Sequence, residues 1–228
     1  MRYQSYLNTA TKIIGSYDGA MPLSHFLKQF FAKEKKYGSK DRKQISSLCY
    51  NFYRLGKVAT GLSVEERIIV ASFLCEQGSN EFISFHRPAW NQFITSPLEE
   101  KCSICNLPYP LNIFPWNNEL TAGIDAEKFS ASFLQQPDLF LRIRPGKEAT
   151  VRAKLQAASV NFQMMHDDCM ALPNATKIDQ LLDIDKDVVI QDASSQRVLD
   201  HLNGSRNEPI PIWDCCAASG GKSLLAYD

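Results

Sequence analysis

The chain has 228 residues, a formal net charge of zero, 44% hydrophobic and 22% charged residues. That composition excludes collagen-like, low-complexity and disordered classes and suits one large or two small packed domains. No stretch approaches the ~20 consecutive apolar residues of a membrane span, residues 1–20 lack the basic start and apolar core of a secretory signal, and seven cysteines without such a signal point to reduced thiols in a cytoplasmic protein.

The first part reads helical. Leu23, Phe26, Leu27, Phe30 and Phe31 recur at the spacing of one helix face over 22–31. Gly38-Ser39 breaks the chain, Ser39 is placed to cap the next helix, and Ile45, Leu48, Cys49 and Phe52 give that helix its apolar face. Gly61 ends it. Ser63 with Glu66 three residues on is a capping-box pattern opening a helix through Ile68, Ile69, Ser72, Phe73 and Cys75. Short helices are expected around Pro88 and Pro97. Pro108, Pro110 and Pro115 predict an extended connector over 107–116, on the surface of the helical unit. Asp125 starts one more helix through Phe133, which Gln136-Pro137 stops.

Charge is unevenly placed along this part. Between Lys28 and Lys57 nine basic residues face only Glu34 and Asp41, a local net of +7. Such a patch is either a phosphate-facing surface, with Lys40, Arg42 and Lys43 as candidates, or a solvated helix face. Cys102-x-x-Cys105 has no second pair at matching spacing, and His86 would leave a tetrahedral zinc site one ligand short, so no metal site is assigned.

After Pro137 the period changes. Residues 139–144, Leu-Phe-Leu-Arg-Ile-Arg, alternate like a strand, which puts Arg142 and Arg144 on one face. That face either meets phosphate or is an ordinary half-exposed surface. Pro145-Gly146 is turn chemistry. A helix over 148–158, a strand over 160–165 with Met164-Met165 as strand core, and a strand over 188–190 complete a small α/β unit. A helix over 195–202 and a polar break at Asn203-Gly204 through Glu208 follow. His25, His166 and His201 have no partner legible in the sequence.

The final segment runs from an apolar strand, 210–213, through small residues into a helix at Ser223–Tyr227. Doubly wound folds build ligand sites at such a junction: small residues admit a ligand to the backbone, and free N–H groups at a helix start take an anionic group. Asp214, at the strand end, suits a cationic group. Gly221-Lys222-Ser223 matches the end of a P-loop, but its first glycine falls at Cys216, and no G-x-G-x-x-G is present. A plain strand–helix turn stays an alternative on these residues alone.

Asp-x-Cys-Ala-Ala-x-Gly-Gly-Lys over 214–222 resembles the first cofactor motif of the Nop/Sun family of RNA (cytosine-5) methyltransferases. Gln191-Asp192-Ala193-Ser194-Ser195-Gln196 resembles that family's Q-D-x-x-S-Q segment. Residues 141–145, Leu-Arg-Ile-Arg-Pro, resemble the strand opening its small RRM-like domain. Gly38 to Arg42 with Ile45 and Tyr50 to Arg54 resembles the NusB-like helical domain that some bacterial members carry in front. Ser219 stands where the family usually has proline and Cys215 where it has an apolar residue; losing the proline costs rigidity but no hydrogen-bond donor.

The resemblance implies an α+β chain: a NusB-like helical domain over 1–136, an RRM-like domain with a linker helix over 137–204, and the start of a Rossmann-type methyltransferase domain over 205–228. It implies S-adenosylmethionine as cofactor, with Cys216, Ala217, Ala218, Ser219, Gly220, Gly221 and Lys222 lining its methionine end and Gln191, Asp192, Ser195 and Gln196 near the cleft. RNA is the implied partner, with ribosomal RNA favoured and transfer RNA open; no membrane or obligate protein partner is implied. The family's cysteine thiolate attacks C6 of an extruded cytosine so that C5 takes the methyl group, a base removes the C5 proton, and a second cysteine helps release product. Those cysteines stand in Pro-Cys and Thr-Cys, neither of which occurs here, so no catalytic residue is assigned and a fragment without activity is expected. The competing expectations are a non-catalytic NusB-type RNA-binding module and, more weakly, a P-loop NTPase. A single strand and helical turn cannot make a parallel sheet, so 210–228 are expected to be either poorly ordered or packed non-natively against a neighbour.

Overall fold

Apolar residues at helical spacing build the first unit, and the change to a period of two at Leu139 begins the second. The structure is a computed structural model that describes residues 2–200 and 211–228. The chain divides into Met1–Gln136 and Pro137–Asp228, and residues 211–228 group with the latter.

In the first unit, α1 (Arg2–Ser16), α3 (Ser39–Arg54) and α4 (Val64–Cys75) pack on one another, and α2 (Leu23–Lys33) adds Leu27 and Phe31 to their core. Seven consecutive residues of α4, Ile68 to Leu74, are buried. A helix apolar all round belongs at the centre of a bundle. The Ser63 hydroxyl accepts from the Glu66 N–H at 3.2 Å, but the Glu66 carboxylate turns away to take both bonds from an Arg87 amine, so only half of the capping box forms. Ser39 is not a cap: it is the first helical residue, Gly38 holds the cap position, and the Asp41 carboxylate accepts from the Gly38 N–H at 3.1 Å.

Three shorter helices follow: α5 (Glu81–His86), α6 (Leu98–Ile104) and α7 (Ala126–Ser132), the last capped by the Asp125 carboxylate at the Lys128 N–H. A 3₁₀ turn at Pro88–Phe93 lies between α5 and α6. The proline-rich connector forms neither helix nor strand, but it bends at 109–110 and 113–115 where an extended run was expected, and it does not lie on the surface. Leu111 and Ile113 enter the core, and the buried Ser130 hydroxyl accepts from the Ile113 N–H at 2.9 Å while donating to the Leu111 carbonyl at 2.8 Å. Three prolines lower the number of backbone donors to satisfy, and one hydroxyl satisfies those that remain near it.

Lys101 is fully buried, and its ammonium donates to the Phe73 and Glu76 carbonyls at the end of α4, at 3.2 and 2.5 Å. A cation suits the negative end of a helix dipole. Burial lowers the Lys101 pKa, opposed by Cys75 and Glu76. Lys101→Met strands two carbonyls and is expected to destabilise this unit by about 1–3 kcal/mol, measured as a lower urea midpoint followed by Trp90 fluorescence.

The second unit is an antiparallel sheet ordered β2-β3-β1-β4, from β1 (Leu139–Ile143), β2 (Gln163–His166), β3 (Cys169–Leu172) and β4 (Val188–Ile190). The overall class is therefore α+β. Leu141 pairs with Met170 on one side and Ile190 on the other. Leu141 and Ile143 face α8 (Glu148–Ala157) in a core with Val151, Leu155, Met170 and Leu182. Phe140 and Arg142 point to the opposite face, next to α9 (Ala193–Gln196), with α10 (Gly221–Tyr227) beyond it.

Several expectations shift here. β2 starts at Gln163, Met165 is half exposed on this edge strand, and the buried methionine is Met170 on β3. β3 was not expected at all: four buried residues between turns carry no period. The helix expected over 195–202 is α9, shorter and earlier; His201, Leu202, Asn203, Gly204, Glu208 and Ile210 lie outside the described residues. Pro211 to Trp213 form no strand. They have no parallel partner to accept their hydrogen bonds, and Trp213 is 89% exposed. The expected helix does form, two residues early, and it packs on α9 outside the sheet.

Candidate cofactor loop and nucleic-acid faces

The loop is closed by Asp214. Its carboxylate accepts from the Cys216 N–H at 3.1 Å and from the Ser223 hydroxyl at 2.7 Å, which ties the loop's start to the first turn of α10. The Ser223 and Cys216 bonds hold the Asp214 carboxyl below its usual range. Ala218 (φ 44°) and Gly220 (φ 83°) are left-handed, and the Gly220 N–H donates to the Ala217 carbonyl at 2.6 Å. This double reversal lets five small residues, Ala217 to Gly221, turn the chain into the helix. Cys216, Ala217, Ala218 and Ser219 are exposed; Gly220, Gly221 and Lys222 are half-buried. A Cβ at Gly220 would meet nothing within 4 Å, so the space over the turn is open. Among the described residues no carboxylate pairs with Lys222.

Gln191 joins this loop to the sheet. Its side-chain oxygen accepts from Arg142 Nε at 3.0 Å, its amide donates to the Ser195 carbonyl at 3.3 Å, and its own carbonyl accepts from the buried Gln196 side chain at 2.8 Å. The same side chain lies 3.7 Å from where a Gly221 Cβ would stand. Gln191 thus meets the glycine loop and is itself bonded to Ser195 and Gln196, while Asp192 caps α9 by position without a side-chain bond.

Arg142 and Arg144 share a face, but that face is covered. Arg142 is 1% exposed and pairs with Asp228 at the end of α10; Arg144 pairs with the same carboxylate and donates to the Asp185 carbonyl at 2.7 Å. Both guanidiniums are engaged within the unit, so the surface expected to meet phosphate is an internal clamp. Burial works against the Asp228 charge, but Arg144 and Arg142 outweigh it and hold the carboxyl below its usual range. Asp228 had no signal in the sequence to mark it as their partner. Lys40, Arg42 and Lys43 are exposed on α3, with Arg42 Nε donating to the Tyr37 carbonyl at 2.8 Å.

Cys102 is buried and Cys105 partly so; burial pushes their thiols up to about 11 and about 12, which keeps them protonated. Among the described residues no group of three His, Cys, Asp or Glu is placed to hold a metal ion, and no helix is long and apolar enough to cross a membrane. Compared with known proteins, the chain matches no protein-family model, no curated protein and no solved structure.

Proposed function

We propose that the chain is the front part of a cytoplasmic, S-adenosylmethionine-dependent RNA (cytosine-5) methyltransferase, with ribosomal RNA the favoured substrate and transfer RNA the second. In this reading 1–136 is the NusB-like domain, 137–204 the RRM-like domain, and 205–228 the beginning of the cofactor domain. The observation that carries it is the meeting of Gln191 with Gly221. Two motifs about 30 residues apart, each resembling a family signature, stand side by side where a cofactor loop would need its second wall. The antiparallel order β2-β3-β1-β4 supports the reading as well, being that of a split β-α-β sheet, here with a 3₁₀ turn at Ile178–Gln180 in place of the second helix. Ile212, Trp213 and Tyr227, all more than half exposed, suit a segment that packs further in a larger domain.

The loop fits half of the cofactor. Its amides and Lys222 would take the carboxylate of the methionine end, and Asp214 would attract the ammonium. S-adenosylmethionine would supply the methyl group; the chain's own residues bind and orient it. Calorimetric titration of the protein from the whole open reading frame, with transfer of labelled methyl to cytosine in RNA as second readout, tests this. Absence of cofactor binding would sink it, and RNA binding without cofactor binding would favour the NusB-type module, which the exposed basic face of α3 supports. Gly220→Ala forces a Cβ into a left-handed position at about 1–2 kcal/mol, so cofactor affinity is expected to fall about 5–30-fold with the unfolding of the first unit unchanged.

A further inference from the structure

We infer that the exposed face of α3 is a stacking surface for single-stranded RNA, with Tyr50 and Arg54 as its centre. Lys43, Ser47, Tyr50 and Arg54 follow one another at i, i+4, i+7 and i+11, which is one stripe of a helix about 16 Å long. Lys40, Lys43, Tyr50, Tyr53 and Lys57 are exposed, and Arg54 half so. No acidic residue occurs between Asp41 and Glu65, and Asp41 itself is occupied by the Tyr6 hydroxyl and the Gly38 N–H. None of Lys40, Lys43, Arg54 and Lys57 pairs with a carboxylate among the described residues. The stripe is therefore uniformly cationic, the complement of a phosphate chain.

Charge alone would describe a solvated helix. The aromatic residues make the difference. Tyr50 keeps 36% of its surface exposed within the cationic stripe, and Tyr53, beside it and packed on the Tyr17 ring, keeps 38%. The Arg54 guanidinium lies 5.9 Å from the Tyr50 ring centre. Two of its nitrogens donate to neutral amide oxygens, of Asn51 at 3.0 Å and of Gln136, which orients the plane without cancelling its charge. A phenol ring and an oriented guanidinium plane flanked by lysines are what unstacked bases use, because every base offers a π-face. A duplex hides its bases and an acidic peptide has none, so single-stranded RNA uses all of the stripe where the others use only its charge.

This inference takes from the proposed function only the choice of RNA as the polyanion. Cofactor titration tests that function separately, and failure of either leaves the other standing. The test is fluorescence anisotropy of the full chain with a labelled, unstructured 12-nucleotide RNA, with the same sequence as a duplex, and with polyglutamate as competitor. The single strand is expected to bind more tightly than the duplex and to resist polyglutamate. Tyr50→Ala is expected to weaken it about 5–150-fold, with Tyr50→Phe restoring affinity. Lys43→Gln with Lys57→Gln is expected to lower the salt slope by about 1.4. Both positions are exposed, and an unchanged melting curve checks the fold. Equal binding of duplex and single strand, an unaffected Tyr50→Ala protein, or full displacement by polyglutamate would overturn the inference.

Discussion

An Arg142→Ala protein is expected to lose about 3–5 kcal/mol of stability in the second unit, the cost of breaking a buried ion pair by removing one partner. Arg142 is 1% exposed, the Asp228 side chain 6%. Removing the guanidinium leaves that carboxylate with Arg144 alone and takes the donor from the Gln191 side chain. Hydrogen exchange at the amides of β1 and β4 is the readout, and protection there should fall by about 10²–10⁴-fold. Arg142→Lys keeps a charge but not the planar fork that reaches Asp228 and Gln191 together, so it should recover only part of the loss. Protection unchanged in Arg142→Ala would show that α10 does not depend on the clamp.

Acid gives the same prediction without a substitution. The folded-state pKa of Asp228 is depressed, so the stability it contributes is present above its unfolded value, about 3.9, and is lost as pH falls through the folded one. Asp187, held low by its bond to Lys154, has the same sign. Both groups lie in the second unit. Its exchange protection should therefore decline below about pH 4.

Phe73→Ala carries the other large effect, in the first unit. The ring is fully buried in the last turn of α4, 5.0 Å from the Trp90 ring at 42°, with the Lys101 ammonium 5.4 Å from its centre. Deleting it opens a cavity where seven consecutive buried residues leave little room to collapse. A loss of about 3–5 kcal/mol is expected, seen as a lower denaturant midpoint and altered Trp90 emission before unfolding. Phe73→Leu keeps most of the volume and should cost about 1.5 kcal/mol or less. Equal losses from the two variants would argue against a cavity as the cause.

Two helices of the first unit were legible from a period, Leu23 to Phe31 and Ile45 to Phe52, and α4 from its capping serine and apolar run, whereas α1 (Arg2–Ser16) was not read from the sequence. The connector's prolines announced a segment without helix or strand but neither its bends nor its depth. Burial of Leu111 and Ile113 depends on the Ser130 hydroxyl, up to 19 residues away in sequence, accepting and donating at the right place. β3 was illegible because four residues buried on both faces have no polar alternation to read. At the candidate site the small residues, the glycine turn and the helix start were all in the sequence. The missing strand at Pro211 to Trp213 was not, because a strand is a property of a pair.

Arg142 and Arg144 show where local pattern stops. A period of two put both side chains on one face of β1, and the sequence by itself determined that much. Whether the face would meet phosphate or protein was decided only in the tertiary structure, by Gln191, 49 residues on, and Asp228, 86 residues on from Arg142. Periodicity is set by backbone geometry within a few residues. The partner of a buried charge is set by which distant segment can cover it and neutralise it, and that choice is made only when the chain folds back on itself.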